Sequence, residues 1–314
     1  LFAIDPNQPY KLHVPEHLLV DATQIVRDGD SLSIAPEANK PKDYQDWFRR
    51  YQKHFSWGSE GHSATDAFES GLRELPTATL EKLKGMGLFN PAQRHAGQWE
   101  DVILRCFLQS RKLSYEGTPI IMPVVELVNH HPNVKGFNTE AGILVQGTHE
   151  GEIFVNYSNS DSIRRFFGYG FACPEPRAYS YPFVLPLTET DKFQVLGKSG
   201  KLAEQMKLIA PTLQSTQKSG LYTLESVLLG SEKTPRIPKA LFKKSLAEFA
   251  FDVDLNEMFE RIRSINQVNL CELYQTLEGV DSPVANGLRQ AILYQLKALA
   301  YCYGERDSLP TQGI

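Results

Sequence analysis

Asn129, His130 and His131 follow the nearly all-apolar run Val124–Val128, whose one charge is Glu126. An amide and two imidazoles at the end of a buried segment could bind a metal, move a proton or fold a turn. Tyr157 closes a later apolar stretch, and Tyr169 stands in "GYGF". A phenol can position a nucleophile or simply fill an aromatic core, and the residues alone leave both open.

Other chemistries lack their patterns. Histidine ligands usually come in company, at i and i+4 on a helix for example. His13, His17, His54, His62, His95 and His149 stand in no such motif, so no metal is expected. Cys106, Cys173, Cys271 and Cys302 are far apart, which argues against a zinc cluster and a disulfide framework and for a reducing, cytoplasmic setting. There is no nucleophile elbow of the form GxSxG and no dinucleotide fingerprint, and "GKSGK" at 197–201 lacks phosphate-loop spacing and reads as a loop. A formal net charge of −4 argues against a nucleic-acid partner. No run of about 18 apolar residues is present to cross a membrane. The opening "LFAIDPN" reads as the interior of a strand, as though the chain begins inside a domain.

The elements that must position these residues are read from periodicity. At 314 residues the chain suits two domains better than one. "YKLHVP" alternates and stops at Pro15, and "DGD" at 28–30 marks a turn. Tyr44, Trp47, Phe48, Tyr51 and Phe55 recur at helical steps, and further helices are expected near 76–86 and 91–109. Strands return with "TPIIMPVVEL". Gly142–Gln146 and Glu152–Tyr157 read as a hairpin turning at "GTHEG", and "YPFVLPL" as one more strand. A short helix is expected in "SNSDSIRRFFGYGF", from Ser160 or Asp161 to about Gly168. From about 190 the pattern reads as helical, with 255–277 forming one long helix or two in line and 282–303 another.

Together, "ELVNHHPN" (126–133) and "GEIFVNYSNSDSIRRFFGYGF" (151–171) resemble the C-terminal signature of SET-domain protein methyltransferases. "RKLSYEGTPIIMPVVELVNH" (111–130) resembles the approach to it in the Rubisco large-subunit methyltransferase-like branch. Motif-level likeness covers 110–115 and 126–171; the layout is similar over nearly the whole chain.

The resemblance implies an α+β fold. A β-rich SET domain of short strands with a knot-like crossing (1–40 and 113–187) would be interrupted by a helical insertion (41–112). An all-helical substrate-binding domain (188–314) would follow. It implies S-adenosylmethionine as methyl donor and a protein as substrate. Arg111 would pair with the donor's carboxylate, Asn129 would bond its amino-acid end, and His130 would offer backbone bonds to adenine. Tyr157 would sit at the transfer pore, contacting the donor's methyl, with Tyr169 as a second catalytic residue and Tyr169 and Phe171 forming the floor and packing against the cofactor. Lysine is the first expected acceptor; a protein-histidine methyltransferase or an inactive SET-like binding module are the alternatives. The branch usually has Asp where this chain has Glu126, and often Gly or Asp where it has Ser158. The family's glycine-rich cofactor loop would precede Leu1.

Overall fold

Tyr44, Phe48, Tyr51 and Gln52 bury one side of a helix that starts just after Pro41, a residue that cannot continue a helix backwards. In the computed structural model this helix is one of nine, set among fifteen short strands, among the described residues: 9–147, 151–187, 192–197, 212–216, 221–247 and 254–301. In chain order the first part comprises β1 (Tyr10–Val14), β2 (Val20–Asp21), β3 (Ile25–Asp28), β4 (Ser31–Ile34), α1 (Lys42–Phe55), α2 (His62–Arg73), α3 (Thr77–Gly85), α4 (Pro91–Arg94) and α5 (Trp99–Arg111). The middle holds β5 (Leu113–Tyr115), β6 (Thr118–Ile121), β7 (Asn129–His130), β8 (Ile143–Gly147), β9 (Phe154–Val155), α6 (Ser162–Tyr169), β10 (Arg177–Tyr179) and β11 (Phe183–Pro186). Last come β12 (Lys192–Val195), β13 (Thr212–Thr216), β14 (Leu221–Glu225), β15 (Leu228–Ser231), α7 (Ile237–Leu246), α8 (Leu255–Gln275) and α9 (Pro283–Ala300). The architecture is mixed α and β, with several sheets of two to four strands among the described residues.

The chain divides into two compact units: residues 1–70 with 95–157, and 71–94 with 158–314. The first unit has two adjoining sets of core residues. Val14, Ile120, Val128, Ile143 and Val155 meet in one, drawn from strands β1, β6, β8 and β9 and the turn before β7. Phe48, Trp57, Ile103 and Phe107 bring α1 and α5 onto β2, β4 and β6 in the other. Gly61 allows that approach, because a Cβ there would lie 2.4 Å from the Phe107 ring. In the second unit α6 packs on α9, and α7, α8 and α9 pack in succession. Gly287 lets α9 reach α6, since a Cβ would meet Phe166 at 2.8 Å.

Several local expectations match. β1 ends before Pro15, the β3–β4 turn has Gly29 at φ +63°, and α8 is one continuous helix. Two do not. The expected hairpin at 142–157 does not form: β8 pairs antiparallel with β1, His13 opposite Leu144, while β9 pairs parallel with β7. Each arm buries its apolar side better against a distant strand than against the other arm. The region from 188 is not all-helical. β12 and β14 run parallel between β11 and β13, and β15 pairs with β10. These strands are only four or five residues long, too short for alternation to stand out from helix-compatible polar sequence. Helix α2 was not anticipated, and residues 71–94 group with the second unit. Most of "GTHEG" and of "GKSGK", Cys302, the end of the 282–303 pattern and "LFAIDPN" fall wholly or partly outside the described residues.

Candidate active site

In the first unit, the two halves of the motif are joined by two-residue strands. β7 lies beside β9 with Asn129 opposite Phe154 and His130 opposite Val155. The His131 N–H continues the ladder to the Val155 carbonyl at 3.1 Å, and the Asn156 N–H bonds the Lys135 carbonyl at 3.0 Å. This register brings Tyr157 against His130, with ring centroids 5.2 Å apart. The Tyr157 N–H donates to His130 Nδ1 at 3.1 Å. Nδ1 is thus an acceptor, and the hydrogen-bond pattern assigns the ring proton of the neutral imidazole to Nε2. The Tyr157 hydroxyl donates to the Val128 carbonyl at 2.7 Å, and its ring stacks at 6.4 Å on Phe137. With its proton committed to Val128, the Tyr157 oxygen can meet a ligand as a hydrogen-bond acceptor.

Asn129 is exposed, and its amide donates to the Glu152 carboxylate. Arg111 is the last residue of α5 and lies with its guanidinium 4.3 Å over the Phe107 ring. Its Nε is buried and has no partner. A buried guanidinium donor without an acceptor is costly in a folded protein, and it suits a carboxylate ligand.

Glu126 and its partners on α1 carry a second signal. Tyr51 Oη donates to Glu126 Oε1 at 2.9 Å and Gln52 Nε2 donates to the same oxygen at 3.0 Å. Gln52 Oε1 is buried without a protein partner, while the Ser56 hydroxyl lies close enough to the Glu126 carboxyl to favour its charged form. Burial pushes the Glu126 carboxyl above the usual carboxylate range, against the opposing pull of the Arg111 charge and the Tyr51 hydrogen bond. Sequence reasoning assigned no role to Tyr51 or Gln52. The available signal was a glutamine one helical turn after Phe48, on the side that must be buried.

The second unit holds Tyr169 and Phe171. Asp161 caps α6 by accepting from the Arg164 N–H at 2.9 Å. The helix ends at Gly170, φ +81°, two residues beyond the expected Gly168, because Gly170 alone there takes the left-handed conformation. Arg165 is fully buried and donates from Nε to Glu175 at 2.7 Å and from Nη2 to the Ser158 carbonyl at 2.8 Å. Its guanidinium lies 4.9 Å from the Tyr169 ring centre. Burial raises the Tyr169 hydroxyl pKa, and the Arg165 charge opposes the rise. Phe171 is 37% exposed, its ring 6.2 Å from that of Tyr169. The structure therefore brings His130 and Tyr157 together in one unit and Tyr169 and Phe171 together in the other; Arg111 and Asn129 share no hydrogen bond.

No family model matches the chain. No curated protein matches it either. Among solved structures, the chain is similar to the SET domain of LSMT bound to lysine and AdoHcy, with 13% identity, 92% of this chain and 79% of that one covered, and a TM-score of 0.38. Among the described residues no helix is long and apolar enough to cross a membrane.

Proposed function

We propose that this chain is an S-adenosylmethionine-dependent protein N-methyltransferase of the SET type, acting on a lysine side chain of a protein substrate. The observation that carries this reading is the joining of the two motif halves: Asn129-His130 lies in register beside the strand that leads into Tyr157, and the Tyr157 hydroxyl is anchored on the Val128 carbonyl.

When bound, S-adenosylmethionine supplies a methyl group on a positively charged sulfur. Arg111 fits its carboxylate, since its side chain is half-buried and its Nε is buried without a protein partner. Asn129 would take part in holding the amino-acid end, and His130 would present backbone groups to the adenine. Tyr157 would orient the substrate amine and accept weak CH···O contacts. Its ring would wall the lysine path. Apolar walls matter because only a neutral amine attacks, and a free lysine with pKa about 10.4 is neutral in roughly one of two thousand molecules at pH 7. Lowering that pKa by about three units recovers roughly 4 kcal/mol. Alignment of the reacting atoms supplies the rest.

The test is incubation of the chain, with any native upstream segment, with methyl-labelled S-adenosylmethionine and a cell extract, followed by identification of the labelled residue. Label on a lysine, lost with Tyr157→Phe, is expected. Label on histidine would move the reading to the alternative acceptor. No transfer, together with no cofactor binding by calorimetry, would overturn it.

A further inference from the structure

Val124 has φ +70° and ψ −50°. That is the strained γ-turn region, which a β-branched residue rarely enters. Such a conformation persists only where its surroundings enforce it. Packing of its own side chain is a weak enforcer here, since Val124 is 38% exposed. A hydrogen bond holds it instead: the Val124 N–H donates to Tyr51 Oη at 2.9 Å. The same hydroxyl donates its proton to Glu126 Oε1 at 2.9 Å, so its orientation is set and a lone pair is turned to Val124. Tyr51 is itself 6% exposed and stacked between Trp47 and Phe55, at 5.4 and 6.3 Å, on a helix fixed in the core by Phe48.

The consequence runs along the chain. Directly after Val124 comes one tight turn: the Glu126 N–H bonds Met122, Leu127 bonds Val124 and Val128 bonds Val125. That turn ends on the Val128 carbonyl, the acceptor of the Tyr157 hydroxyl. We infer that Tyr51 is a positioning residue for Tyr157: its hydroxyl clamps the left-handed Val124, and the turn this creates places the Val128 carbonyl that orients the Tyr157 phenol. The catalytic use of that phenol rests on the methyltransferase reading; the clamp does not.

The variants Tyr51→Phe, Val124→Gly and their combination test this in the full chain. Glycine accepts positive φ without strain, so it removes the need for the clamp. Two readouts are independent of activity: hydrogen exchange of the 122–131 segment, and the fluorine resonance of Tyr157 in 3-fluorotyrosine-labelled protein, assigned by its loss in Tyr157→Phe. With Tyr51→Phe, exchange should quicken about tenfold, the size of one lost buried hydrogen bond, and the Tyr157 resonance should move. Adding Val124→Gly should restore both. Methyl transfer should follow, with kcat falling about tenfold in Tyr51→Phe at little changed cofactor affinity, and recovering in the double variant. If exchange and resonance are unmoved by Tyr51→Phe, or the double variant is no better than the single, the clamp is refuted. If both readouts behave as expected while the wild type transfers no methyl, the clamp stands and the methyltransferase reading falls. A melting curve for each variant separates these results from global unfolding.

Discussion

Glu175 and Glu126, a buried carboxylate from each unit, are treated in opposite ways. Glu175 is 4% exposed and meets the fully buried Arg165, which also satisfies the Ser158 carbonyl and lies against Tyr169. Glu126 is 6% exposed, yet it forms no ion pair within 4 Å; Arg111 influences it only from a distance. Near Glu126, Gln52 Oε1 and Arg111 Nε are buried without protein partners. A closed network fixes a local structure, while an open one carries a cost that a purely structural role does not explain. The contrast teaches that Arg165–Glu175 is scaffold for the helix bearing Tyr169, whereas at Arg111 a buried donor is left without a protein acceptor, as the proposed carboxylate ligand would require.

The strongest challenge to this contrast is to break the closed pair. Arg165→Ala leaves Glu175 buried without its partner and should cost about 3–5 kcal/mol in urea unfolding. The double change Arg165→Met with Glu175→Leu should return much of that. If the single variant costs under about 1 kcal/mol, the pair is not the anchor described.

Next in size is Tyr157→Phe. It removes one oxygen, keeps the ring and breaks the bond to Val128. Methyl transfer should fall by about one to three powers of ten while cofactor affinity hardly changes. Wild-type turnover in a folded variant would return Tyr157 to core packing.

Arg111→Ala addresses the open site. The cofactor should bind roughly ten- to a hundredfold more weakly, as for loss of a bond of about 1.5–3 kcal/mol to a charged group. Stability should fall only by about 0.5–1 kcal/mol from the lost stack on Phe107, because Nε has no protein partner to lose. A large drop in melting temperature with unchanged affinity would make Arg111 structural, like Arg165. Asn129→Ala, at an exposed position whose amide meets Glu152, should weaken binding in the same sense.

The smallest effect concerns pH. Because burial raises the Glu126 pKa, the folded state holds this proton more tightly than the unfolded state does. Its contribution to stability is therefore complete below the ordinary carboxylate pKa and is lost as pH rises through the folded value. Glu126→Gln has no proton to lose. It should match the wild type in acid and melt slightly higher near neutrality. Parallel melting curves for the two proteins across pH 4–8 would remove the raised Glu126 pKa from the account.

Much of the local structure was legible in the residues. Helical steps from Tyr44 to Phe55 mark α1, Asp161 marks the start of α6, and Pro15 ends β1, because each is a preference written within a few neighbours. Asn129, His130, Tyr157, Tyr169 and Phe171 were nominated by short motifs of the resemblance, of which the structure brings His130 against Tyr157 and Tyr169 near Phe171. Periodicity names the face a strand will bury but not the strand it will bury it against. Hence β8 chose β1 and β9 chose β7, and the sheet of β11 to β14 went unforeseen where helices were expected. Tyr51 looked like one more aromatic on an apolar stripe. Only the tertiary structure could give its hydroxyl two partners far along the chain and bring Val124 to positive φ. A local sequence carries propensity, and strain can be held only by contacts that close when the chain is folded.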